Sequence, residues 1–170
     1  MAIIKPNNNT ISAITALPNG IVSSAALASG VGGKLLQYDE DYDSASIGLS
    51  TTSWVDTNLS IAFTPVSASS KILVYGHIQV YVDGAPSYFA NMLYKIQKDG
   101  SDFGENFEAY TGYGGTEAVF NGMLPYAVSE SSGSTSARTY KIQVKNPETP
   151  SGAHYNQYSG NSSLQIMEIG

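Results

Sequence analysis

The chain has 170 residues, no cysteine, a formal net charge of -6 at pH 7 and a pI near 4.7. The length suits one domain with a short appendage. Absent cysteine removes disulfides, thiolate nucleophiles and thiolate zinc sites, and an acidic balance with no lysine–arginine cluster speaks against a nucleic-acid partner. Charged residues are only 13%, against roughly 25% in an ordinary soluble domain, so serine, threonine, asparagine, glycine and tyrosine must supply most of the polar surface.

The opening MAIIKPNNNTISAITALPNGI carries no charge from Pro6 onward, and charge returns only after Gly33. Its asparagines and prolines interrupt any apolar run well short of the roughly 20 residues of a membrane span. Pro-Asn-Gly inside the would-be apolar region argues against a secretory signal, so synthesis in a cytoplasm without a signal peptide is expected. Ile11, Ile14, Leu17 and Ile21 recur every three or four residues, one stripe of a short helix with Thr10 as N-cap. The segment reads as a loose tail or as a peptide that orders against a partner surface; its many spaced branched residues favour docking, with Ile3, Ile4, Ile11, Ile14, Leu17 and Ile21 as the anchoring side chains. Gly30-Val31-Gly32-Gly33 makes a hinge, placing an anchoring segment at 1–33 and a folded domain at 34–170.

The acidic run from Tyr38 to Asp43 could offer oxygens to calcium, but it lacks the EF-hand pattern and reads as a charged strand end or loop. No metal and no cofactor is expected. Strand signals follow. Leu59, Ile61 and Phe63 alternate with polar residues, and in KILVYGHIQVYVDG the residues Ile72, Val74, Ile78, Val80 and Val82 share an inner face, leaving Leu73, Tyr75, His77, Gln79 and Tyr81 on the other. Asp99-Gly100 joins two extended runs as a hairpin. Tyr140, Ile142 and Val144 alternate with polar neighbours, and SLQIMEIG closes the chain as a strand tied into the sheet. With no sustained helical period, short strands between Gly/Ser/Pro/Asn clusters predict an all-β, antiparallel sandwich of jelly-roll type. Exposed edges and the apolar outer face of Leu73, Tyr75 and Tyr81 predict a homo-oligomer.

Catalytic constellations are hard to assemble. His77 sits on a strand face and His154 in a loop without a partner at ligand spacing. Asp102, Glu105, Glu108 and Glu117 could serve glycan hydrolysis, but a solvated acidic hairpin explains them better, so the chain is not expected to be an enzyme. Two glycine- and serine-rich loops suit binding: 108–117 with Tyr110 and Tyr113, and 146–163 with His154, Tyr155 and Tyr158. Their tyrosines could equally pack on their own loops or on a sister subunit.

PNNNTISAITALPNGI, the following GKLLQ, the block TTSWVDTNLSIAFTPVSASSKILV and the terminal SLQIMEIG together resemble tail-fibre and virion-surface proteins of tailed bacteriophages of the marine or cyanophage type. The resemblance implies a homotrimeric sandwich facing outward and an N-terminal segment docked on another virion protein of tail, adaptor or capsid. Its loops would meet a host-surface glycan or protein. A capsid decoration or head-fibre protein without a dedicated receptor is the nearest alternative, followed by a carbohydrate-binding module unrelated to virions.

Overall fold

A computed structural model describes residues 33–84, 91–110, 118–147 and 152–170. The chain divides into two units, Met1–Gly33 and Lys34–Gly170, and all the described strands lie in the second. The expected anchoring residues Ile3, Ile4, Ile11, Ile14, Leu17 and Ile21 lie outside the described residues.

The strands in chain order are β1 (Leu35–Asp43), β2 (Ile47–Leu49), β3 (Val55–Phe63), β4 (Lys71–Gly84), β5 (Asn91–Lys98), β6 (Ser101–Tyr110), β7 (Ala118–Ser131), β8 (Arg138–Lys145), β9 (Gly152–Tyr155) and β10 (Ser162–Ile169). They form a six-stranded sheet, β1-β10-β4-β9-β2 with β7 on the other edge of β4, and a four-stranded sheet, β3-β8-β5-β6. All pairs are antiparallel, and the described residues contain no helix. The all-β, antiparallel expectation holds.

Period-two patterning explains most of these elements. β3 and β8 bury every second residue, and β5 turns Met92, Tyr94 and Ile96 to the same core. β4 buries Ile72, Val74, Ile78, Val80 and Val82, the inner face read from its sequence. The two sheets share one core, with the Tyr94 ring stacked on Phe107 and edge-on to Tyr126 from the larger sheet. Asp99 and Gly100, at φ 51° and 81°, make the two-residue hairpin between β5 and β6. β7 was not legible as a strand because Gly122 and Pro125 interrupt it; it tolerates the proline because it pairs only with β4 and is an edge strand.

Gly76 sits where the larger sheet is crossed from inside. Tyr126 of β7 is paired opposite Gly76, and its phenol reaches across β4 to donate to the Ser163 carbonyl of β10 at 2.7 Å. A Cβ on Gly76 would lie 2.1 Å from that carbonyl oxygen and 2.8 Å from the phenol. Only glycine leaves the passage open.

Carboxylates aimed inward from the larger sheet close its rim. β1 turns Asp41 and Asp43 toward β3, whose outer edge has no strand partner; Asp41 accepts the Ser60 N–H at 2.9 Å, and Asp43 accepts the Asn58 N–H and side-chain amide at 3.3 Å. The acidic run expected as a charged strand end or loop forms the C-terminal part of β1. Glu168 of β10 is buried and accepts from the Val66 and Ser67 N–H groups, the Ser70 hydroxyl and the Gln37 amide. Glu130 of β7 accepts from Tyr140 and Arg138 of β8 and pairs with Lys98 of β5. A buried carboxylate supplied with several donors avoids the cost of an unpaired charge.

Gly76→Ala should destabilise the fold by on the order of 3 kcal/mol in denaturant unfolding. Tyr126→Phe, which only strands the Ser163 carbonyl, should cost about 1–2 kcal/mol; an inverted order would contradict the crossing geometry. Burial alone would raise the Glu168 carboxyl, but the hydrogen bonds from Ser70, Val66, Ser67 and Gln37 outweigh it and hold it below its ordinary 4.5. A carboxyl depressed in the folded state stabilises above its unfolded value and loses that contribution as pH falls through the folded one. The melting temperature should therefore drop as pH is lowered below about 4.5, and Glu168→Gln, less stable at pH 7, should show a shallower drop. Parallel pH profiles for the two proteins would remove Glu168 from the account.

Candidate functional site

β9 and β10 lie end to end along the same edge of β4. Tyr155 pairs with Val80 and Ser163 with His77, so residues 156–161 leave the sheet, and the gap along β4 spans only Ile78 and Gln79. The opening is sealed by polar groups. Asn156 donates its N–H to the Gln79 carbonyl at 3.2 Å, and the Gln79 N–H donates to the Ser162 hydroxyl at 2.9 Å. That hydroxyl donates to Asn156 Oδ1 at 2.7 Å, while Asn156 Nδ2 donates to the Asp43 carbonyl at 2.7 Å. No backbone group of Gln79 is left open by the interruption.

The excursion turns sharply because Asn156, Tyr158 and Ser159 adopt φ values of 51°, 55° and 61°. Asparagine tolerates this left-handed region; tyrosine does so at a cost of about 1 kcal/mol. Tyr158 is thereby held on the outer face of the larger sheet, 71% exposed, with its ring edge-on to Tyr81 of β4 at 5.3 Å between centroids. His154 of β9, paired opposite Tyr81, brings its ring to 5.8 Å from that of Tyr81. Beneath the loop, Gln79 Nε2 donates to Asn121 Oδ1 at 2.7 Å, and Gly160 lies so close over Gln79 that a Cβ there would be 2.5 Å away. The three rings form one fixed, partly exposed aromatic group on a polar floor.

The residues expected to bind divide accordingly. His154 and Tyr158 come together, joined by Tyr81, which the sequence placed on the outer face without assigning it to a site. Tyr155 is corrected: it lies in strand β9, is 0% exposed and belongs to the core, because the alternation that turns His154 outward turns Tyr155 inward. Burial pushes its phenol up. Tyr110 ends β6, but its side chain, like all of Tyr113 and Glu117, lies outside the described residues. The expected connection 146–163 is corrected as well, since β9 interrupts it.

The two outer faces differ in character. On the smaller sheet, charges answer one another: Lys95 pairs with Asp102 at 2.5 Å and Lys141 with Asp56 at 3.4 Å, while Lys95 and Lys145 lie over the Trp54 ring. On the larger sheet, the described outward side chains include Tyr38, Tyr42, Leu73, Tyr75, Met123 and Met167, and charge is confined to Glu40 and Lys71. Met123 and Val119 are more than half exposed. Such a face is aromatic and charge-poor, the composition that interfaces and ligand platforms favour.

Among the described residues, the acids considered for hydrolysis do not assemble. Asp102 is bound to Lys95, Glu108 accepts from the Asn91 amide, and Glu105 is exposed on β6. A polar depression of about 340 Å³ between the β5–β6 hairpin and the β7–β8 connection is lined by Lys98, Asp99, Glu130, Arg138 and serines; Glu130 pairs with Lys98 and Arg138, and Asp99 accepts the Thr139 N–H. Among the described residues no group of histidines and acids is placed to hold a metal ion. No known family profile and no curated protein matches the chain.

Asn156→Ala removes two buried side-chain hydrogen bonds and the residue best suited to the left-handed turn. It should cost about 2–3 kcal/mol of stability. In tyrosine-ring NMR spectra the Tyr158 and Tyr81 signals should move while Tyr94, in the core, keeps its shift; unchanged Tyr158 signals would show that the loop does not depend on Asn156.

Proposed function

We propose that this chain is a structural, non-enzymatic protein of a tailed-phage virion, of tail-fibre type. Residues 1–33 dock it on another virion protein, and its domain, a jelly-roll-like sandwich assembled as a homotrimer, presents the Tyr81–His154–Tyr158 group to a host-surface glycan. The observation that carries the binding part of this reading is Tyr158, a tyrosine held 71% exposed in a left-handed backbone conformation. Strain of this kind persists where the surrounding structure over-determines it, and here it fixes a flat aromatic face in advance of any ligand. The virion part rests on the resemblance of the N-terminal block, the SASSKILV junction and the closing LQIMEI.

The non-enzymatic part is supported by the acids, which are committed to structural bonds or stand apart on exposed strands. The remaining apolar area of the larger sheet's outer face suits contact between sister subunits.

Particles carrying Tyr81→Ala and Tyr158→Ala together should assemble normally and adsorb to host cells at least about fivefold more slowly, since each lost aromatic contact is worth roughly 0.5–1.5 kcal/mol. Deleting residues 1–33 should leave a soluble trimer that no longer enters particles. Normal adsorption of the double variant favours a decoration protein, and normal incorporation of the deletion ends the docking reading.

A further inference from the structure

A second cluster on the same face lies on β1, away from the aromatic group. The strand period turns Tyr38, Glu40 and Tyr42 outward together, while Asp41 and Asp43 turn in toward β3. Both phenols donate to the same carboxylate oxygen, Glu40 Oε2, Tyr38 at 2.5 Å and Tyr42 at 2.9 Å. Gln165 stands opposite Glu40 in register and bonds to the Tyr42 phenol, and Tyr75 follows opposite Gln165 on β4, near enough to act electrostatically on both β1 tyrosines. Tyr38 and Tyr42 are 43% and 54% exposed.

The chemistry of this cluster is one-sided. An ionised carboxylate only accepts hydrogen bonds, and a phenol has a single proton to give. Here both phenol protons go to Oε2. What remains for a visitor is Glu40 Oε1, a phenol lone pair and the electron-rich ring faces, with the Gln165 amide and the Tyr75 phenol as donors at the flank. A neutral hydroxyl or amide compound would gain only ordinary hydrogen bonds here; an ammonium gains a charge-assisted bond to the carboxylate and contact with the π faces together. The net charge of -6 adds a long-range field of the same sign.

We propose that Tyr38, Glu40 and Tyr42, flanked by Tyr75, form a binding site for a protonated primary amine, whose ammonium group donates to Glu40 Oε1 and rests against the tyrosine rings. The free Oε1 selects an ammonium that still carries N–H donors. The pairing with two phenols also holds the Glu40 carboxyl below its ordinary range, so the site keeps its charge into mildly acidic solution. This site is separate from the Tyr81–His154–Tyr158 group and stands or falls without the virion reading.

The test uses the whole protein with its tyrosine rings labelled for NMR. Propylammonium chloride is titrated against sodium chloride at constant ionic strength, with 1-propanol as the uncharged control. The Tyr38 and Tyr42 ring signals should shift saturably with propylammonium and not with propanol, while Tyr94 in the core stays still. Glu40→Gln should weaken binding at least about tenfold by removing the charge-assisted acceptor. In the unsubstituted protein, acidifying until Glu40 is protonated should release the amine, which checks the same point without a variant. The proposal is overturned if the shifts fail to saturate, if propanol reproduces them, or if binding survives either Glu40→Gln or the acidification.

Discussion

β4 offers one long edge that two successive strands must share, and much of the molecule is arranged around that constraint. β9 and β10 run in the same direction along it, so the chain between them has to leave the sheet and return almost in place. An excursion of this kind exposes backbone groups at the gap in β4 and needs a backbone reversal within a few residues. Asn156 and Ser162 meet the first demand, bonding to the Gln79 carbonyl and N–H and to each other. The left-handed residues meet the second. The exposed tyrosine is the product of the interruption: without the break in β9–β10, nothing would lift an aromatic ring over Tyr81.

The same economy appears at the rim. Sheets of unequal width leave edges that do not cover one another, and edges with open N–H groups invite association. β1 lies beside the bare edge of β3 and satisfies it with side chains instead of a ladder, Asp41 and Asp43 accepting what a neighbouring strand would have accepted. Glu168 does the same for the turn before β4, and Glu130 for the β7–β8 end. An acidic chain with few charges thus places several of them where they cap backbone or close the two layers.

Those devices set what could be read from the sequence. β3, β4, β8 and β10 were legible because each turns a regular aliphatic or aromatic face to the core, and the Asp99-Gly100 hairpin because only a few residue pairs accept two positive φ values in a row. β1 was legible only as a charged strand end or loop because its inner face is made of carboxylates, whose reason for being there is a strand almost twenty residues away. β7 was hidden by Pro125 and Gly122, which an edge strand tolerates. Tyr155 and Tyr158 looked alike as tyrosines among polar residues; the left-handed turn at Asn156 separates them, leaving one in the core and the other on the surface. A spacing Tyr-x-Glu-x-Tyr at period two did signal a single outward face on β1, once that segment is taken as extended.

The two outer faces finally show how a charge-poor surface can still be electrostatically specific. On the smaller sheet, lysines and aspartates neutralise one another locally and Trp54 lies beneath two lysine side chains, so little field escapes. On the larger sheet, single polar groups stand among aromatics: Glu40 between two phenols, His154 against Tyr81. An isolated group in such surroundings keeps its preference for one kind of partner, whereas a salt-bridged group has already met that preference internally. The character of the larger sheet's outer face is therefore set by the placement of a few aromatic and polar residues instead of by net charge.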